Sequence, residues 1–406
     1  MAPARPVRPG FFPLDEELGL LPGSLSPQSQ DHLTRLAAWM PFERAAEMLG
    51  ALTGVQVSEA TTRRQTYLAG AAYEAVQAAQ AAAPEDPAPA TAPADKLVLS
   101  VDGAMVPLVH GQWAEVKTLV IGEVPAGQAA GAVKSTQLSY FSRMSEASVF
   151  AEQASVETRR RGVADAAQVC AVMDGAEWSD GVVDLQRPDA LRILDFPHAA
   201  QAVSAIGQEA GMGQSEASPS WLATQLHTLK HEGPTPVLAE LARLCATFPL
   251  NEPMSKSYTY LAKREARMQY PLYQQDGWPI GSGIVESGNK VVMQARLKGA
   301  GMHWAPAHVN PMLALRTAAC TDRWDEAQQQ LRAHRREQRH LRREHRVLQR
   351  ARQQVCRTLS MRSAQRRQEP PPPPALPVTP SLPTQKLMAK YSWRQPFLRH
   401  PSCAKT

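Results

Sequence analysis

A chain of 406 residues, 43 % apolar and 20 % charged, has the length of about two to four domains with buried cores, which excludes a small scaffold held together by staples. No run of about 18 apolar residues occurs, and the start, with Arg5 and Arg8 ahead of Phe11-Phe12-Pro13-Leu14-Asp15, lacks an apolar stretch with a cleavage site; neither a membrane span nor secretion is expected. The net charge of +6 is concentrated, because thirteen Arg against two Glu lie between positions 332 and 367 and leave the remainder acidic.

Residues 1–80 read as a helical region. Phe42-x-x-Ala45-Ala46-x-x-Leu49 has helical spacing, Gly50 and Gly54 are stop signals, and Ser58 is placed to cap a helix carrying Thr61, Arg63, Arg64, Tyr67 and Leu68. Two helices across a short turn, the second opening on Thr and Arg, fit helix-turn-helix DNA binding through Arg63 and Arg64, or an ordinary helical hairpin. Residues 81–95 are a Pro/Ala linker, since Pro lacks the N–H of a regular ladder and restricts the residue before it.

From residue 96 the period becomes that of strands. Lys96 to Val101, Trp113 to Val124 and Gln137 to Phe141 read as three strands in succession. Ser145 to Gly162 reads as a helix capped by Ser145, with Val149, Phe150, Ala154 and Val156 as apolar contacts. Val169 to Met173 and Leu191 to Leu194 are short apolar runs of the kind found in buried parallel strands. Residues 96–210 are thus the first part of a mixed α/β core. Residues 211–280, including helices over 221–231 and 237–248, read as a helical insertion. Residues 281–322 return to the core with a Gly281-Ser-Gly283 turn, a helix from Ile284 to Lys298 and another over 311–317. Residues 323–368 form an Arg-rich helix, and residues 369–406, with Pro370 to Pro374 in sequence, an extended tail. Five scattered cysteines, Cys170, Cys245, Cys320, Cys356 and Cys403, contain no C-x-x-C pair and fit reduced thiols in a cytoplasmic protein.

Three acids occupy informative places. Asp102 ends the first strand, Asp174 ends the fourth, and Glu286 lies on a helix after the insertion. One Asp-Gly after a strand is ordinarily a turn, but Val101-Asp-Gly-Ala104 and Met173-Asp-Gly-Ala176 present the same device on two strands. Carboxylates brought close raise one another's pKa or draw in a cation, and an all-oxygen site suits Mg²⁺, with Mn²⁺ as a substitute. Two such ions would stabilise both oxygens of a phosphodiester displacement.

These residues carry a resemblance. Asp102 in SVDGAMVPL, Asp174 in VMDGAEW, Leu194-Asp195-Phe196-Pro197-His198, and Gly281-Ser-Gly-Ile-Val-Glu286-Ser-Gly-Asn-Lys290 through Arg296-Leu-Lys298 and Gly301-Met302-His303-Trp304 resemble a DDE transposase of the ISKra insertion-sequence family, itself related to Mutator-like transposases. The likeness extends to Phe12-Pro-Leu-Asp15, Leu18-Gly-Leu20, the paired helices near 45–70 and Arg323-Trp324-Asp325. It implies an RNase H-like mixed sheet with a helical insertion before the last acid, and Asp102, Asp174 and Glu286 as the metal-binding triad. Asp195 and His198 match the D-x-x-H motif that related transposases carry after the second acid. Asp195 also ends a strand and is the alternative second acid, while Asp174 fits the fourth-strand position better. His198 could shape the site, contact a phosphate or serve packing alone.

The implied activity is DNA cleavage followed by strand transfer, with terminal inverted repeats and target DNA as partners, a homo-oligomer to join two ends, and a nucleoid location. The rivals are an RNase H-like nuclease that only cuts and a DNA-binding protein that has lost catalysis. Lys290, Arg296 and Lys298 include one helical face and could hold phosphates beside the site, or be surface cations. His227 and His231, four apart, lack the companions of a zinc motif, and Met293 and Trp278 read as packing residues. The Arg segment fits DNA better than an ordinary solvated helix because its charges are so unbalanced.

Overall fold

Strands buried on both sides dictate a sheet covered on both faces. The computed structural model describes residues 25–83, 94–126, 133–212 and 219–368. In β1 (Lys96–Pro107), Leu97, Leu99 and Val101 join one apolar cluster, while Val98 and Val106 belong to clusters on the opposite face. A strand apolar on both sides needs a layer over each. β2 (Trp113–Glu123) and β3 (Thr136–Arg143) extend the sheet antiparallel to one side. β4 (Gln168–Met173) and β5 (Leu191–Leu194) extend it parallel on the other, giving the order β3-β2-β1-β4-β5. The protein is therefore α/β with a mixed five-stranded sheet.

Preceding the sheet are α1 (Pro27–Trp39), α2 (Phe42–Thr53) and α3 (Glu59–Ala82). One face of the sheet is covered by α4 (Ala147–Arg160) and α5 (Glu177–Gln186), through Phe150, Ala154, Val182 and Val183. The other receives α6 (Phe196–Glu209) and the insertion helices α7 (Pro219–His231), α8 (Pro234–Thr247), α9 (Glu252–Ala262) and α10 (Tyr270–Gln275). Beside them, over β2 and β3, pack α11 (Gly283–Gly288), a π-helical turn (Asn289–Gln294), α12 (Ala295–Leu297) and α13 (Pro306–Cys320).

Several boundaries differ from the sequence reading for identifiable reasons. β1 does not stop at Asp102-Gly103, because its ladder with β2 continues from Leu97↔Glu123 to Pro107↔Trp113. The N-cap position of α4 is Glu146 rather than Ser145, with no side-chain capping bond, and Val149 faces solvent, whereas Phe150, Ala154 and Val156 are buried as expected. Gly50 lies inside α2, and Gly54, at φ +75°, provides the left-handed stop. Ser58 caps α3 as expected, accepting from Thr61 N at 3.2 Å.

Packing fixes the N-terminal helices tightly. α3 buries Thr62, Gln65, Thr66, Ala69, Gly70, Tyr73 and Gln77 and lies along α13. α1 leaves terminal carbonyls without helical partners, and two buried arginines supply donors. Arg296 Nε donates to Ala37 O at 2.9 Å and Arg316 Nη1 to Ala38 O at 3.0 Å.

The chain divides into two units, Met1–His340 and Leu341–Thr406. The last helix, α14 (Trp324–Gln368), contributes Trp324, Ala327 and Leu331 to buried clusters of the first. In the second, the described side chains from 341 to 361 are all exposed. The Phe12–Asp15 and Leu18–Leu20 segments, most of the Pro/Ala linker and the Pro-rich tail lie outside the described residues. Among those residues no helix is long and apolar enough to cross a membrane, and Cys170, Cys245, Cys320 and Cys356 are free thiols.

Candidate active site

Strand register brings the first two acids to one end of the sheet. β1 and β4 pair in parallel from Lys96↔Gln168 to Leu99↔Ala171. Three residues beyond the last pair, on each strand, stand Asp102 and Asp174. β5, paired to β4 through Met173↔Leu194, delivers Asp195 beside them. The carboxyl ends of parallel strands are where open α/β sheets hold ligands.

Each aspartate is held differently. Asp102, half-buried, accepts from its neighbour Gly103 N at 2.7 Å through Oδ1 and from Asn289 Nδ2 at 2.8 Å through Oδ2. Asp174, also half-buried, accepts from Ala176 N at 2.9 Å through Oδ1, and Gly175 at φ +83° turns the chain out of β4. Asp195 is fully buried, and both its oxygens are engaged. Oδ1 accepts from Ser282 N at 2.6 Å, while Oδ2 accepts from His198 N at 3.3 Å and from His198 Nδ1 at 2.5 Å. Asp195 thus caps α6, fixes the turn before α11 and orients His198.

Electrostatics tie the groups together. Burial pushes the Asp102 carboxyl above its ordinary range, and the charge of Asp174 adds to this; the Gly103 N–H, His198 and Asn289 oppose it. His198 is raised, first by its hydrogen bond to Asp195, against a lowering by burial, and further by the charges of Asp195, Asp174 and Asp102. The surrounding carboxylates therefore favour the charged form of the His198 imidazole.

Glu286 is exposed on α11, one turn before Asn289. Among the described residues no three His, Cys, Asp or Glu side chains gather as a metal site would require, so the Glu286 carboxylate is not drawn into the Asp102–Asp174 pair. That pair fits a cation on its own chemistry: it offers only oxygen donors, and its like charges disfavour ionisation of Asp102. The π turn that follows α11 carries Asn289, and such turns recur at functional sites.

One cation departs from the sequence reading. Arg296 is 2 % exposed, bonded to Ala37 O and lying over the rings of Phe42 and Trp304 at 4.8 and 5.3 Å. Burial lowers its pKa to about 10. It is a clamp between α1 and the core and is not presented to a phosphate. Lys290, Lys298, Arg63 and Arg64 are exposed, with Lys298 Nζ 5.9 Å from the ring centre of exposed Trp113. Met293 and Trp278 are buried packing residues, as expected. The rings of His227 and His231 lie 4.4 Å apart without forming part of a metal cluster.

Sequence reasoning missed Asn289, whose signal was its place three residues after Glu286. It also missed Tyr260 and Arg264, which reach the Asp174 turn from α9 and the residues just after it. No spacing rule links positions more than eighty apart. No protein-family model matches the chain, and no curated protein matches it.

Proposed function

We propose that this protein is a DNA transposase with an RNase H-like core, which cleaves the ends of a mobile element and joins them to target DNA. The observation that carries this reading is the pair Asp102 and Asp174 at the ends of neighbouring parallel strands, in a sheet ordered β3-β2-β1-β4-β5. The motif resemblance adds the reaction. Asp102 and Asp174 would hold Mg²⁺, with Mn²⁺ as a substitute; Glu286 is the third acid only by the motif resemblance, and Asp174 suits the second place better than Asp195, whose oxygens are engaged in the fold. When bound, the metal supplies a Lewis acid that favours ionisation of the attacking hydroxyl and offsets charge on the leaving oxygen.

The chain's own groups supply orientation. Asn289 and Gly103 N aim the Asp102 carboxylate, Ala176 N fixes that of Asp174, and His198, oriented by Asp195, is a candidate contact for a phosphate. Exposed Arg63, Arg64, Lys290 and Lys298 provide phosphate contacts. Because two ends must be joined, the active form is a dimer or larger assembly working on DNA in the cytoplasm.

The test is incubation with Mg²⁺ and DNA bearing candidate terminal repeats. Cleaved ends and joined products support the reading; cleavage without joining makes the protein a nuclease. The exposed position of Glu286 favours a second reading, a DNA-binding protein that has lost catalysis, and metal-independent binding with no cut product would establish it.

Two further outcomes are expected. Asn289→Ala removes a hydrogen bond that favours ionised Asp102, so its carboxyl rises further and the acid limb of the pH–rate profile moves to higher pH; an unmoved limb contradicts the role given to Asn289. Replacing Arg342, Arg346, Arg350 and Arg357 of α14 with Gln should lower the slope of log K against log salt for duplex DNA by about 0.9 for each phosphate that is no longer neutralised. Identical slopes would show that this helix does not touch the DNA backbone.

A further inference from the structure

We infer that Tyr260 and Arg264, at the end of the last long insertion helix, are positioning residues that hold Asp174 in its working orientation. This deepens the proposed function and rests on Asp174 being the second acid.

Beyond Met173 the chain leaves the β4 ladder, and the short turn through Asp174 and Gly175 must be held by something else. Tyr260 Oη donates to Asp174 O at 2.5 Å, and Arg264 Nη2 donates to Gly175 O at 2.6 Å. Arg264 Nη1 also donates to Tyr260 O at 2.9 Å, and its guanidinium lies 4.3 Å from the Tyr260 ring centre. The two side chains therefore act as one unit. Three residues on, Arg267 Nη1 donates to both carboxylate oxygens of Asp180, at 2.8 and 2.9 Å, in the first turn of α5.

The effect on Asp174 follows from peptide planarity. Gly175 O and Ala176 N belong to one rigid peptide unit. Arg264 grips its oxygen, and the Asp174 carboxylate accepts from its nitrogen. Rotation of that plane would carry the anchoring N–H away from the carboxylate, so Arg264 sets the direction in which Asp174 points. The approach is close: a Cβ on Gly175 would lie 2.4 Å from Arg264 Nε. The insertion does not need these polar contacts to stay attached, because Met254, Leu261, Met268 and Tyr270 already bury it against the core. Outer partners of this kind orient ligating groups and tune them.

Tyr260→Phe keeps the ring and removes the donor; Arg264→Lys keeps a charge and loses the planar fork that serves both carbonyls. Each is expected to cut Mg²⁺-dependent cleavage about 10- to 100-fold with DNA affinity within about twofold of wild type. Mn²⁺ alone, titrated calorimetrically, should bind more weakly, and hydrogen exchange should accelerate at Ala176. Arg243→Ala, on the same insertion with its side chain 63 % exposed, should change none of these. Equal loss of folding and DNA binding with an unchanged rate per folded molecule would overturn the inference in favour of a merely structural contact. If the wild-type protein cuts no DNA, the functional reading fails by itself. The exchange measurement still decides the clamp, because unchanged protection at Ala176 in both variants overturns it.

Discussion

Asp102→Asn is expected to abolish DNA cleavage, by about 10²- to 10³-fold or more, while leaving the protein as stable as wild type or more so. The carboxyl is half-buried beside Asp174, and its pKa is raised above the ordinary value. A raised carboxyl binds its proton more tightly folded than unfolded. Its contribution is therefore full below the unfolded pKa of about 3.9 and is lost as pH rises through the folded pKa, so at neutral pH the ionised group costs stability. Asparagine keeps the shape without the charge: its one carbonyl oxygen can accept from Gly103 N, and its amide can donate to Asn289 once that side chain turns its partnerless Oδ1 toward it. A variant that melts at or above the wild-type temperature and binds DNA normally, yet cuts nothing, is the signature of a group retained for chemistry at the expense of stability. Undiminished cleavage would remove Asp102 from the site. A fall in melting temperature matching the loss of activity would make the residue structural.

Gly70→Ala should destabilise the protein by about 1–3 kcal/mol, against the usual preference for alanine in helices. A Cβ at Gly70 would lie 2.2 Å from Pro311 O, 2.6 Å from its carbonyl carbon and 2.9 Å from its Cα. All three are backbone atoms, so α3 or α13 must move as a body. Because Tyr73 and Gln77 follow on the same face, and Gln77 bonds the buried Arg143 of β3, that movement disturbs the sheet edge as well. Gly181→Ala in α5 is the opposed case: its Cβ meets nothing within 4 Å, so the substitution should stabilise by about 0.5–1 kcal/mol. Urea unfolding of both variants measures the contrast, and shifts of the same sign would contradict the close approach of α3 to α13.

What the sequence determined by itself is local. Strand-like patterning marked β1 to β3, and short apolar runs marked β4 and placed β5 at Leu191–Leu194; Ser58 and Gly54 announced the ends they occupy, and repeated Asp-Gly steps after apolar runs singled out Asp102 and Asp174. These signals survive in one dimension because apolar patterning, capping and turn chemistry depend on neighbours a few residues away. The tertiary structure decided the rest. Arg296, Lys290 and Lys298 look alike in the chain, yet only Arg296 is enclosed by Phe42 and Trp304 and committed to α1. Asp174 and Asp195 both end strands, and the contacts with Ser282 and His198 separate the engaged carboxylate from the available one. Asn289, Tyr260 and Arg264 reach the site from 187, 86 and 89 positions away. Which polar groups meet across such distances is set by how sheet and helices pack, and no short-range period carries that information.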